Sequence, residues 1–162
     1  MNKNIFKQFF SFSYGTIINL FLGLITTPII TRLIGPSDLG LVSIFSLTLN
    51  ILTLITIFGT DQAFARYYYD YFGAEKRSLL KKIGYIIIPI FFMIVIIMFS
   101  FRTYFSVLLF GQESFSFLIP IILFTVFANV LLVFSKMIIR MEQKGNLFSI
   151  QMVVGKIINF SI

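Results

Sequence analysis

Residues 60–82 read TDQAFARYYYDYFGAEKRSLLKK and form the only long polar segment in the first hundred residues of the chain. Nearly continuous apolar sequence lies on both sides of this segment. It carries five basic residues, Arg66, Lys76, Arg77, Lys81 and Lys82. Loops rich in lysine and arginine stay in the cytoplasm when the apolar segments that flank them cross a bilayer. The segment therefore predicts a cytoplasmic loop between membrane-spanning helices.

The composition of the whole chain supports an integral membrane protein. Of the 162 residues, 58% are hydrophobic and 12% are charged, and the mean hydropathy is +0.98. A soluble domain has about 45–50% apolar and about 25% charged residues. The basic residues behind the net charge of +7 lie between apolar runs, as anionic lipid head groups favour, so a nucleic-acid partner is not expected. Because cysteine and histidine are both missing from the sequence, we expect neither disulfides nor a thiolate or imidazole metal site.

Five apolar runs predict the membrane-spanning segments, since about 20 apolar residues cross the hydrocarbon of a bilayer. The Gly35-Pro36 pair predicts the end of the first helix, and Ser37 or Asp38 is the expected N-cap of the second. The last run is shorter than a full span, so we expect the chain to be a fragment of a longer transporter. The predicted spans are about 9–31, 39–59, 83–101 and 115–139, followed by the shorter run 147–162.

The distribution of basic residues predicts the orientation of these spans. Two lysines precede the first span, five basic residues lie in 60–82 and three lie around 140–146. The connections on the other side carry only Arg32 and Arg102. Because translocation of lysine and arginine is disfavoured, we expect a cytoplasmic N-terminus, cytoplasmic loops at 60–82 and 140–146, and a short external connection at 102–114. The fold is therefore expected to be all-α, with four complete transmembrane helices and a partial fifth.

Small and polar side chains recur on one face of four of the five runs, at the spacing of an α-helix. In the second run this face consists of Ser43, Ser46, Asn50, Thr53, Thr60 and Asp61. The corresponding faces are Gly15, Asn19, Gly23 and Thr27 in the first run, Thr125, Asn129, Lys136 and Arg140 in the fourth, and Gln151, Gly155 and Asn159 in the fifth. Two interpretations stay open. One is helix packing, in which small residues let backbones approach, and the other is a hydrated interior between the helices.

Two charged residues fit functional roles as well as structural ones. Asp61 either caps the helical continuation into the loop or acts as a charge-coupling site, with Arg66 or a base of another helix as its partner. Lys156 lies about ten residues into the fifth run, about 13–15 Å from its start at 1.5 Å per residue. A cation at that depth marks a transport pathway or a counter-ion, unless its long stem carries the ammonium group toward the interface. Arg32 and Arg102 fit interfacial anchors.

Motifs of catalysis and of nucleotide binding do not occur in the sequence. It contains no GxxxxGK[ST] for phosphate binding, no HExxH and no GxSxG. An enzyme is therefore not expected, and neither is a cofactor or a metal ion. Any transport is expected to be driven by ion coupling or by a substrate gradient.

Two stretches of the sequence resemble a known family. The first span ends in TRLIGPSDLG, residues 31–40, and the second leaves the membrane through GTDQAFARYYY, residues 59–69. Both are similar to the bacterial polysaccharide and O-antigen repeat-unit flippases of the multidrug, oligosaccharidyl-lipid and polysaccharide exporter superfamily. The resemblance covers the whole chain. It implies a MATE-like transporter with two lobes around a central cavity, of which residues 1–162 form a partial N-terminal lobe.

The resemblance also implies a function and a set of partners. Such flippases move undecaprenyl-diphosphate-linked oligosaccharides across the bacterial cytoplasmic (inner) membrane, in contact with membrane lipids, the second lobe and other polysaccharide-assembly proteins. The candidate substrate-binding residues are Asn19, Asn50 and Asn129 for the sugar, Lys156 and Arg32 for the diphosphate, and Asp61 for proton or charge coupling. Two alternatives stay open, a cation-coupled multidrug efflux protein of the same superfamily and a non-transporting membrane component of a polysaccharide-assembly complex.

Overall fold

The computed structural model of the chain describes residues 3–71, 75–142 and 145–161. The side chains at 3–12, 75–77, 145 and 155–161 lie outside this description. Every regular element within the described ranges is helical. The elements are α1 (Lys3–Leu33), α2 (Pro36–Ile57), α3 (Thr60–Tyr67), α4 (Glu75–Ser100), α5 (Arg102–Phe110), a 3₁₀ helix at Glu113–Phe117, α6 (Leu118–Met141) and α7 (Gly145–Ser161).

Four segments are long and apolar enough to cross a membrane. Large apolar side chains face outward along them, since Leu24 is 70%, Leu54 71% and Phe124 74% exposed. Exposed apolar surface of this kind is unfavourable in water and favourable in hydrocarbon. The predicted all-α membrane fold is thus confirmed. Among the described residues, the candidate spans are Ser13–Leu33, Pro36–Ile57, Ser78–Ser100 and Glu113–Met141.

Two of the predicted connections contain helices. The predicted loop 60–82 includes α3 and the first turns of α4, and the predicted connection 102–114 includes α5. Hydropathy marks the part of a helix that suits lipid, whereas a helix continues past that part wherever packing stabilises it. The placement of these segments on the cytoplasmic or external side stays a prediction.

The turn between α1 and α2 corrects the predicted N-cap. Helix α1 ends at Leu33, before the Gly35-Pro36 pair, as predicted. Helix α2 begins at Pro36, so Ser37 and Asp38 lie in its first turn and neither is the cap. Proline suits the first helical position because its φ is already helical and no N–H is needed there. The Gly35 carbonyl instead accepts the first hydrogen bonds of the helix, from the N–H groups of Asp38 at 3.1 Å and Leu39 at 3.0 Å.

Two consecutive residues in the left-handed conformation separate α2 from α3. Phe58 has φ 47° and Gly59 has φ 71°. This conformation costs a residue with a side chain about 1–2 kcal/mol and costs glycine little. The Gly59 carbonyl then accepts hydrogen bonds from the N–H groups of Gln62 at 3.2 Å and Ala63 at 3.3 Å, which starts α3. Helix α2 therefore ends and α3 begins within two residues.

The described chain divides into two compact units. Residues 1–39 and 135–162 form what we call the terminal unit, and residues 40–134 form the central unit. In the terminal unit, α1 packs against α7. The hydroxyl group of Tyr14 on α1 lies 3.4 Å from the Asn146 carbonyl oxygen on α7, to which it donates a hydrogen bond.

The core of the central unit lies along α6 and includes a cluster of aromatic rings. Its most buried apolar side chains on α6 are Ile119, Ile122 and Val126. Helix α4 meets α6 through Phe91 and Phe127, whose ring centroids are 5.6 Å apart. Helix α3 packs through Phe64, which is 1% exposed and whose ring centroid lies 6.1 Å from that of Phe134. Phe64 is thus the large side chain of α3 that is fully buried, while the polar residues Gln62 and Arg66 stay exposed.

Candidate functional site

Gly15, on the predicted α1 face, lies where α1 and α7 come into close contact. A Cβ atom built on Gly15 would lie 2.7 Å from both Cα and Cβ of Ser149, and 2.9 Å from its Oγ. Ser149 is fully buried at this point. A side chain larger than hydrogen does not fit at Gly15 without a shift of the α7 backbone. Gly15 therefore serves helix packing, one of the two interpretations of this face.

Unpaired polar atoms lie on the same two helices. Within the part of the chain that the structure describes, the buried side-chain oxygens Oδ1 of Asn19 and Oε1 of Gln151 have no hydrogen-bond partner. Asn19 lies one helical turn after Gly15, and Gln151 lies two residues after Ser149. A buried amide oxygen without a donor costs about 1–3 kcal/mol, so each of these atoms suits a donor such as water or a sugar hydroxyl.

The far end of the α1 face differs from the packed end. Thr27 is exposed, and its hydroxyl group donates to the Gly23 carbonyl of the same helix at 2.8 Å. Arg32 is also exposed and lies in the last turn of α1. Thirteen residues separate Asn19 from Arg32, which corresponds to about 20 Å along the helix axis. A single small group therefore does not contact both side chains at once.

The predicted polar face of α2 is mostly exposed. Ser43, Ser46 and Asn50 are exposed, while Thr53 is half-buried and donates its hydroxyl hydrogen to the Leu49 carbonyl at 2.7 Å. This face is therefore not the one through which α2 packs against its neighbours.

The buried polar residues of α2 were missed by the sequence reasoning. Thr56 is fully buried and Thr48 is 8% exposed. Their hydroxyl groups donate to the carbonyl groups of Leu52 at 2.7 Å and Ile44 at 2.8 Å. Because each bond stays within the helix, these threonines need no polar partner elsewhere and pack as apolar residues do. The only sign of these residues in the sequence is their spacing of two helical turns, which places both threonines on one face of α2.

Asp61 lies in the first turn of α3 and is half-buried. Of its two predicted roles, the one in which it caps this helix is wrong, because Gly59 occupies the N-cap position and no side chain makes a capping hydrogen bond there. The left-handed conformation of Gly59 already turns its carbonyl toward the helix, so no side-chain oxygen is required. Asp61 instead lies near the positive end of the α3 dipole, which favours a carboxylate. The guanidinium group of Arg66 lies 5.7 Å from the ring centroid of Tyr67.

The predicted face of α6 is neither buried nor fully exposed. Asn129 and Lys136 are half-buried, and Arg140 is exposed. The hydroxyl group of Thr125 donates to the Ile121 carbonyl at 2.8 Å.

The six candidate residues are divided between the two units. Asn50, Asp61 and Asn129 belong to the central unit, and Asn19, Arg32 and Lys156 belong to the terminal unit. Lys156 is part of α7, but its side chain lies outside the described residues, as does that of Asn159. What the structure brings together is the packed end of the α1 face and the start of α7, through Gly15 and Ser149.

Metal-binding chemistry finds no support in this arrangement. Among the residues that the structure describes, no group of three or more His, Cys, Asp and Glu side chains is placed to hold a metal ion. Apart from the Asp61 carboxylate, the polar groups of the candidate residues are amides, lysine and arginine, which bind sugars and phosphates through hydrogen bonds and charge.

Comparison with known proteins identifies the family. Residues 5–161 match the model of a family described as polysaccharide biosynthesis protein. Neither the curated proteins nor the solved structures contain a match to the chain. The family match covers nearly the whole sequence and confirms the resemblance to the polysaccharide and O-antigen flippases that the two motifs indicated. The chain therefore belongs to the polysaccharide biosynthesis protein family.

Proposed function

We propose that the chain is the N-terminal part of a flippase for lipid-linked oligosaccharides. Its cargo is an undecaprenyl-diphosphate-linked repeat unit, which moves from the cytoplasmic to the outer leaflet of the bacterial inner membrane. Membership of the polysaccharide biosynthesis family and the four apolar helices support this proposal. The N-terminus lies in the cytoplasm, residues 1–162 form part of one lobe, and alternating access takes place against a second lobe.

The observation that carries the proposal is the pair of buried amide oxygens, Oδ1 of Asn19 and Oε1 of Gln151. In the hydrocarbon region an unsatisfied polar group costs several kcal/mol. Two such unpaired oxygens on packed helices are best explained if hydrogen-bond donors enter the interior of the protein. Water supplies them at rest, and the hydroxyl groups of a sugar supply them during transport.

The remaining candidates fit the other parts of the cargo. Asn50 and Asn129 supply amide groups to the glycan, and Lys156 and Arg32 neutralise the diphosphate. Asp61 is the proton or charge-coupling site. The separation of about 20 Å between Asn19 and Arg32 suits a cargo whose glycan and diphosphate occupy different depths.

The substitution Asn19→Leu tests the role of the unpaired oxygen. Replacing a buried amide that lacks a partner with an apolar side chain of similar size is neutral or stabilising for the fold. We therefore expect unchanged or raised thermal stability in detergent together with reduced surface polysaccharide and accumulation of the lipid-linked precursor in cells. Thr26→Val is the matched control, because the Thr26 hydroxyl already donates to the Gly23 carbonyl at 3.3 Å. Normal export by the Asn19→Leu variant would refute a contact with the cargo.

Single cysteines on α2 test whether its polar face is hydrated. The chain has no cysteine, so each introduced thiol is the only one. We expect a membrane-impermeant thiol reagent to label cysteines at Ser46, Asn50 and Thr53, and to leave unlabelled the control Ile55→Cys, an apolar position on the opposite face of α2 that is 48% exposed. Uniform protection of all four positions would contradict a hydrated interior and favour a non-transporting membrane component.

The positions of the acidic residues favour a glycolipid over a cationic drug as the cargo. A cavity for cationic drugs needs carboxylates deep in the bilayer, where they attract a positive charge. All six acids of the chain lie at the ends of helices or in connections; they are Asp38, Asp61, Asp70, Glu75, Glu113 and Glu142.

Loss of export in Lys156→Met together with normal export in Arg102→Met is the expected result for an anionic cargo. Normal export in Lys156→Met would remove Lys156 from the proposal.

A further inference from the structure

An apolar groove runs between α4 and α6 in the central unit. Its volume is about 430 Å³, within the range of about 300–1,000 Å³ that is usual for small-molecule sites. Gly84 leaves one wall open, because a Cβ atom there would meet only Cδ1 of Ile88, at 3.9 Å. The walls include Ile83, Ile87 and Phe91 of α4, and Phe127, Val130 and Phe134 of α6.

The lining of the groove selects for hydrocarbon. Every side chain that lines it is apolar, so a sugar or a row of waters would lose hydrogen bonds on entering. Both walls belong to candidate membrane spans, Ser78–Ser100 and Glu113–Met141. An acyl chain is therefore the available occupant whose chemistry matches the walls.

At one end of the groove, aromatic side chains pack together and α4 carries two lysines. Phe64 of α3 packs on Phe134 at this end, with ring centroids 6.1 Å apart. Lys81 is exposed and precedes Gly84 by about one helical turn. The Nζ of Lys82 lies 3.4 Å from the hydroxyl oxygen of Tyr71 and 5.5 Å from its ring centroid.

The described side chains of the segment 60–82 include three basic and two acidic residues. They are Arg66, Lys81 and Lys82 against Asp61 and Asp70. Lysine side chains on a helix lean toward its N-terminus, so a lysine at position 81 suits a head group beyond the end of the groove that Leu80 and Gly84 line. Apolar walls that end at a cation match a lipid with a hydrocarbon chain and an anionic head group.

We propose that the α4–α6 groove binds an acyl chain of an anionic phospholipid, with the phosphate of the head group at Lys81. This site is separate from the candidate residues of the transport pathway and does not depend on the proposed flippase activity. Each lysine near a membrane surface strengthens binding of an anionic lipid by about fivefold. The groove therefore prefers phosphatidylglycerol over phosphatidylcholine with the same chains by about that factor.

Fluorescence quenching by lipids with brominated chains measures this preference. The chain contains no tryptophan, so Phe92→Trp places a single reporter at the groove wall, where Phe92 is 58% exposed. We expect brominated phosphatidylglycerol in vesicles to quench this reporter with a relative binding constant about five times that of brominated phosphatidylcholine. The matched reporter Phe124→Trp lies on α6 outside the groove, and its ratio is expected to be near one.

Further variants separate the head-group contact from the groove. Adding Lys81→Gln to the Phe92→Trp chain is expected to remove most of the fivefold preference. Adding Gly84→Leu is expected to fill the groove and remove the preference as well, whereas Gly40→Leu, at a helical glycine with nothing within 4 Å, is expected to leave it unchanged.

Three results would overturn the proposal. One is equal quenching of the Phe92→Trp reporter by the two lipids, which means that the groove makes no head-group contact. Another is the absence of quenching by either lipid, which means that protein covers the groove. The third is displacement of the phosphatidylglycerol by an equimolar amount of undecaprenyl phosphate, which assigns the groove to the tail of the cargo.

Discussion

The substitution Gly15→Ala tests the close contact between α1 and α7. The new methyl group would lie 2.7 Å from Cα and Cβ of Ser149, whereas carbon atoms at optimal separation are about 3.5–4.0 Å apart. The shortfall of about 1 Å involves the backbone of α7, so a rotamer change does not relieve it. The two helices must separate locally, and overpacking of this kind costs about 1–3 kcal/mol.

A matched control on the same helix isolates this cost. Alanine favours a helix over glycine by about 1 kcal/mol, and this gain offsets part of the clash at Gly15. Gly23→Ala has the same gain without a clash, because nothing lies within 4 Å of a Cβ atom at Gly23. We expect the free energy of unfolding of Gly15→Ala to be lower than that of Gly23→Ala by about 1–3 kcal/mol. Titration of detergent-solubilised protein with sodium dodecyl sulfate, followed by circular dichroism, measures both values.

A second substitution tests the origin of the cost. Ser149→Gly in the Gly15→Ala chain removes the contacts with Cβ and Oγ but leaves the Cα atom at 2.7 Å, so we expect only partial recovery of stability. Equal stability of Gly15→Ala and Gly23→Ala would refute the reasoning, because the helices would then have room for the methyl group.

Three further predictions use the same titration. Phe64→Ala is expected to cost about 3 kcal/mol and to loosen α3, because Phe64 is its only fully buried large side chain, whereas Phe124→Ala, on a lipid-facing surface, is expected to cost far less. Ser106→Ala removes a hydroxyl donor that lies 2.6 Å from the Gln112 carbonyl oxygen, so it is expected to lower the free energy of unfolding by about 1 kcal/mol. An equal loss in the control Ser114→Ala, on an exposed side chain, would contradict this. Gly59→Ala places a side chain at φ 71° and is expected to cost about 1–2 kcal/mol, so a stabilised variant would be inconsistent with the left-handed turn.

The division of polar residues on α2 shows where helical periodicity reaches its limit. The face with Ser46 and Asn50 is visible in the sequence, and the structure leaves it exposed. Periodicity does not show which face packs. Thr48 and Thr56 lie on the packed face, where bonds from their hydroxyl groups to carbonyls of their own helix make their burial inexpensive. The sequence alone therefore does not distinguish a threonine that packs in a core from one that lines a cavity.

The sequence by itself determined that the chain is an all-α membrane protein with four long apolar helices, because the thickness of the hydrocarbon sets the length of each apolar run. It also placed the turn at Gly35-Pro36, since proline and glycine act on the local backbone. The contact of Gly15 with Ser149 and the groove beside Gly84 were decided only by the tertiary structure. Both depend on which helix lies next to which. In lipid, apolar faces are nearly equivalent, so the detailed fit of side chains between distant segments selects the neighbours.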